Sequence, residues 1–90
     1  MYRLIFPESY LKIEREFLKI HYNLISPYKK VIELAEIDIR HPSLRLHKLN
    51  GRLKDYHSVS INLIYRIIIR IDDNSIIFVH IGHHDKVYRN

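Results

Sequence analysis

The sequence predicts an α+β domain: a four-stranded antiparallel-type sheet with an N-terminal helical hairpin packed on one face, in the order β-α-α-β-β-β. Three observations lead there. Apolar residues recur at helical spacing through the first half, the second half switches to runs of β-branched and aromatic residues, and proline marks the joints. The 90 residues carry neither a low-complexity tract nor a repeat, so residues 1–90 are expected to form a single domain.

Each element has a local cause. Met1–Phe6 is rich in strand formers and is stopped by Pro7. Ser9 can cap a helix over roughly residues 10–23, in which Tyr10, Ile13, Phe17, Ile20 and Leu24 make one stripe, widened by Leu11 and Leu18. Ser26-Pro27 restarts the chain as N-cap and first helical residue, and a second helix should run to about Ile39, buried through Val31, Ile32, Leu34 and Ala35. His41-Pro42 ends it, because a proline disfavours helical geometry in the residue before it. Tyr56–Ile61, Ile64–Ile71 and Ser75–Ile81 then read as strands joined by tight turns at Asn62-Leu63 and Asp72-Asp73-Asn74, an antiparallel meander.

Period 2 assigns the faces of the sheet. Tyr65, Ile67, Ile69 and Ile71 share one face, with Val59, Ile77, Val79 and Ile81, and should lie under the helices. The opposite, open face should hold Ser58, Ser60, Arg66, Arg70 and His80, with Ile64, Ile68, Ile76 and Phe78 between them. Cations beside an aromatic ring make a platform for a nucleic-acid strand, although an ordinary solvated sheet face has the same pattern.

Charge agrees with the first of these. Residues 1–39 carry six Lys/Arg and six Asp/Glu; residues 40–90 carry nine and four, with six of the seven histidines. A basic, His-rich half attracts phosphate-rich polymers before specific contacts form. No run approaches the roughly 20 apolar residues of a membrane span, and Pro7, Glu8 and Lys12 interrupt any leader-like stretch. With no cysteine, thiol chemistry and disulfides are excluded, and a cytoplasmic setting is expected.

No nucleotide-binding glycine loop or spaced Cys/His zinc motif occurs. Chelation by His83-His84-Asp85 is disfavoured, since neighbours in extended chain point to opposite sides, and no cofactor is expected. Metal-free phosphodiester cleavage needs a base for the ribose 2′-OH, cations for the pentacovalent phosphate and an acid for the leaving 5′-oxygen. Histidine suits the proton-transfer roles near neutral pH and arginine the charge role. Tyr88 could stack on a splayed base.

The segments His47-Lys48-Leu49-Asn50-Gly51, Tyr56–Ile61, Tyr65-Arg66-Ile67-Ile68 and Ile81-Gly82-His83-His84-Asp85-Lys86-Val87-Tyr88-Arg89 together resemble the RelE superfamily of bacterial toxins, in its RelE/StbE and YafQ branches. The resemblance implies the toxin of a type II toxin–antitoxin pair, a ribosome-dependent endoribonuclease that cuts messenger RNA through 2′-OH attack and is held in check by a cognate antitoxin. It further implies catalytic roles for four residues. His84 would be the general acid, Arg66 would contact the reacting phosphate, Tyr88 would stack on a base and His47 would serve as accessory group or base. Lys48, Lys54, Ser58, Ser60, Arg70 and His80 would line the RNA path. His83 is expected to be a bystander. The chain departs from the family at Ser58 and Ser60, where RelE carries lysines, and at Asn62, where YafQ carries an aspartate, so the usual general base is missing. Two further readings therefore stay open: a ParE-like toxin that poisons gyrase without cutting RNA, and a weakly active member serving mainly to bind its antitoxin.

Overall fold

The computed structural model describes residues 1–84. The first strand, β1 (Arg3–Ile5), leads into α1 (Glu8–Ile20) and α2 (Ile25–Ile37), followed by β2 (His47–Lys48), β3 (His57–Ser60), β4 (Tyr65–Asp72) and β5 (Ser75–His83). The sheet order is β1-β5-β4-β3-β2. It has five strands, one more than the sequence pattern indicates, and is mixed: β3, β4 and β5 form the expected antiparallel meander, while β1 lies parallel to β5. The added strand is two residues long, too short for a period-2 signature, and it exists only through its pairing to β3.

The helices begin and end slightly away from the expected points. Neither uses a serine cap: Pro7 precedes α1, and α2 is entered from a single 3-10 turn at Tyr22–Leu24, which puts Pro27 inside its first turn. Proline is tolerated there because the first N–H groups of a helix have no intrahelical acceptor. His41 does end the helical half. Its Nδ1 accepts from the Ser43 N–H at 3.2 Å and caps a 3-10 turn at Pro42–Leu44.

The helical hairpin covers one face of the sheet as the patterning predicts. Tyr10, Tyr28, Val31 and Ala35 pack on Val59, Ile67, Ile69, Ile76, Phe78 and Ile81. Phe78 stacks on Phe6 at 4.6 Å between ring centroids and tilts against Tyr10 at 5.4 Å. The Tyr10 hydroxyl is buried and meets that of Tyr28 at 2.7 Å, and Tyr28 donates to Glu14 Oε2 at 2.6 Å. Burial thus carries both phenols well above the ordinary tyrosine range.

Ile76 and Phe78 are a correction to the face assignment. They were expected on the open face, yet they are buried under the helices, while Ile77 stands opposite Arg70 on the other side. The cause is a register shift: His80 pairs with Ile68 and Phe78 with Ile69, so Val79 is an extra residue without a partner. Such a bulge reverses the alternation on its two sides. It lets Ile76, Phe78 and Ile81 bury on one face although their numbers differ in parity.

The second face is not open either. Leu49 and Ile68 form a small second core with Leu53, Tyr56 and Val79, because the β2–β3 connection curls back over the sheet. A 3-10 turn at Gly51–Leu53, entered at Gly51 with φ 65°, makes that fold-back.

The bulge predicts an ordering of stabilities. Phe78→Ala should cost about 3–5 kcal/mol, and Ile77→Ala less than half as much. Urea unfolding of the two variants checks this, and an unbulged β5 would reverse the order.

Candidate functional site

The site is built on the face away from the helices. Pairing places His47 of β2, Ser58 of β3, Ile68 of β4 and His80 of β5 in one row across the strands, and Ser60, Arg66 and Gly82 in the next. Immediately beyond β5, the His84 N–H donates to the Ile64 carbonyl at 2.7 Å, which ties His84 to the start of β4. His47 therefore sits beside Ser58 and diagonal to Arg66, and β5 delivers its last residues to the same corner. His47 and His80 share a row but stand three strands apart, about 14 Å at the usual strand spacing. They cannot serve one phosphate together.

Arg66 is the centre of this corner. Its Nε donates to Ser58 Oγ at 3.0 Å, and its Nη2 donates to the Arg45 carbonyl at 2.8 Å and to the Ser58 carbonyl at 3.4 Å. None of these three oxygens carries a charge. Opposite Arg66, Gly82 presents no side chain, so the space beside the guanidinium on that strand is not filled from β5.

Several expected site residues lie differently from their sequence assignment. Ser58 is fully buried, and Ser60 and Arg66 are only 7% and 6% exposed, so these three do not form an open platform. Ser60 Oγ donates to the Asn62 carbonyl at 2.5 Å, and Asn62 Oδ1 accepts from the Ile64 and Tyr65 N–H groups at 2.9 and 2.8 Å. Both side chains thus build the β3–β4 turn. Lys48 pairs with His57 and faces the opposite side of the sheet from His47. Arg70, His80 and Lys54 are exposed, with Arg70 and His80 on the Arg66 face and Lys54 in the turn before β3. Tyr88 lies outside the described residues.

Two histidines are accounted for by packing. His83 pairs with Tyr65 and its ring meets that of Tyr65 edge-on at 5.8 Å, on the helix side, away from Arg66. His21 joins the same cluster against Phe17 and Tyr65. His57, paired with Ile69, also faces the helices. Its Nδ1 is buried without a hydrogen-bond partner, and burial, reinforced by Lys48, Arg40 and His47, holds it below the ordinary histidine range.

Sequence reasoning missed three features of the corner: the Arg45 carbonyl, Gly82, and the hydrogen bond from Arg66 to Ser58. Only for Gly82 was there a signal, a glycine inside a strand, which marks a close approach. Among the described residues no cluster of three potential metal ligands forms, and no helix is long and apolar enough to cross a membrane.

With this geometry in hand, known proteins provide a measure of the fold. No protein-family model matches the chain, and no curated protein matches it by sequence. Solved structures do. YafQ from Escherichia coli BL21(DE3) superimposes with a TM-score of 0.79 at 12% identity, over 99% of this chain and 100% of that one. The fold is that of the RelE-like toxins. The E. coli DinJ–YafQ toxin–antitoxin complex gives a TM-score of 0.76 at 16% identity, over 98% of each chain. A heterotetrameric YoeB–YefM toxin–antitoxin complex from Staphylococcus aureus gives 0.72 at 18% identity, over 93% of this chain and 98% of that one. The RelE-like fold thus extends over nearly the whole chain.

The position of His57 has a consequence for stability. Its lowered pKa means that the unfolded chain takes up a proton first as pH falls. The contribution of neutral His57 is therefore complete above about pH 6.5 and declines below it. Thermal midpoints measured between about pH 7.5 and 5.5 should fall less steeply in His57→Gln than in the parent.

Proposed function

We propose that this chain is the toxin of a type II toxin–antitoxin pair and that it cleaves messenger RNA on the ribosome without a metal. The observation that carries the proposal is one corner of the sheet. There Arg66, His47 and the strand end leading to His84 converge opposite a glycine, on a fold shared with YafQ and YoeB. The basic second half supplies the attraction for RNA.

The chemistry assigned to this corner is transesterification. A base takes the 2′-OH proton, the 2′-oxygen attacks the adjacent phosphorus, and the P–O5′ bond breaks to leave a 2′,3′-cyclic phosphate and a 5′-hydroxyl. Arg66 stabilises the charge that builds on the phosphate. His84 donates the proton that the leaving 5′-oxygen needs, a role histidine can fill near neutral pH. His47, on the strand flanking Ser58, is assigned to accept the 2′-OH proton or to assist. Tyr88 is assigned to stacking on a base. Arg70, His80 and Lys54 continue the cationic track along the exposed part of the face, whereas Lys48, on the opposite side of β2, would reach RNA only around the sheet edge.

The partner is a cognate antitoxin, by analogy with DinJ and YefM in the complexes above. A second reading, an antitoxin-binding member with little nuclease activity, is favoured by one observation: Arg66 is buried and binds the protein's own oxygens.

Expression in a translating extract followed by primer extension separates the two. The first reading expects cleavage within codons, and a loss of about 10²–10⁴ in rate on His84→Ala, with circular dichroism and the thermal midpoint unchanged. Intact message with the parent chain supports the second. DNA breaks beside intact message would instead point to a gyrase poison.

A further inference from the structure

We propose that Ser58 and the main-chain carbonyl of Arg45 are positioning groups, which fix the plane of the Arg66 guanidinium before RNA arrives. The inference rests on the cleavage reading above and names the residues that make Arg66 effective in it.

Arginine is a long side chain that loses much rotamer freedom when it is held in one place. Its planar head carries five N–H donors in a fixed fork. Acceptors at two of its nitrogens therefore define the plane. Here the two come from different elements. Ser58 Oγ takes Nε at 3.0 Å from β3, and the Arg45 carbonyl takes Nη2 at 2.8 Å from the segment before β2. A guanidinium pinned at both points has no rotation left to spend when a phosphate approaches.

The Arg45 carbonyl is itself set by the backbone. Arg45 has φ 49° and is one of two non-glycine residues with positive φ among the described residues; the other, Asp73, makes the β4–β5 turn. The left-handed state costs energy for a residue with a Cβ. At Arg45 it follows the 3-10 turn capped by His41, and it turns the carbonyl toward Arg66 while the side chain stays exposed.

Ser58 is fully buried, so its hydroxyl acts on a substrate through Arg66 and not by direct contact.

The test is single-turnover cleavage on ribosomes programmed with a defined message, together with thermal unfolding of each variant. Ser58→Ala should slow the rate at saturating ribosomes by about tenfold to a hundredfold. The half-saturating concentration should move less than twofold. Ser58→Thr, which retains a hydroxyl on the same carbon, should recover a large part of the rate. Arg45→Val, which disfavours positive φ without touching a buried side chain, should be slowed comparably. Arg45→Gly, which tolerates positive φ, should cut several-fold faster than Arg45→Val. The Arg45 pair decides the matter if Ser58→Ala fails to fold. Parental rates in Ser58→Ala or Arg45→Val, with Arg66→Ala inactive, would overturn the positioning role and leave the cleavage reading standing. Equal losses in Arg45→Gly and Arg45→Val would overturn it too, by assigning the effect to the Arg45 charge. Parental cleavage by Arg66→Ala would remove the cleavage role of Arg66 itself.

Discussion

One extra residue in β5 decides which side of the sheet every neighbouring side chain takes. Ile76 and Phe78 share a parity, Ile81 has the other, and all three are buried in the core beneath the helices. A regular strand could not achieve that, because its side chains alternate strictly. The unpaired Val79 absorbs the mismatch and itself packs into the second, smaller core beside Ile68. Beyond the bulge, His80 and Gly82 fall on the Arg66 face. The packing demand of Phe78, stacked on Phe6 and touching Tyr10, therefore reaches the site through register alone.

The corner that results holds its cation deeply: Arg66 is buried and is hydrogen-bonded from two different elements. On the proposed cleavage reading a held guanidinium is worth more than a mobile one, because reorganisation at the moment of reaction is what preorganised electrostatics avoids.

Burying an arginine carries a desolvation cost, which hydrogen bonds to its donors offset. Main-chain carbonyls and a hydroxyl meet part of it, and one of them, the Arg45 carbonyl, is in place because the left-handed Arg45 turns it toward Arg66. The short β2 strand has two effects. It covers the edge of β3, and it aligns His47 with Ser58 on the Arg66 side.

By itself the sequence determined the element order, the helical hairpin and its buried face, the antiparallel meander and the side occupied by Ser58, Ser60, Arg66, Arg70 and His80. These follow from periodicity and punctuation, which are local properties of the chain. Its resemblance to RelE-like toxins singled out His47, Arg66 and His84, residue types that can transfer protons or stabilise phosphate charge. Only the tertiary structure decided the rest: the second strand at His47–Lys48, the parallel pairing of β1, the reversal of Ile76 and Phe78, the burial of both serines, and the grip of Ser58 and Arg45 on Arg66. Each of these depends on contacts between residues distant in the chain, or on one residue's slip in register, and neither leaves a trace in local composition.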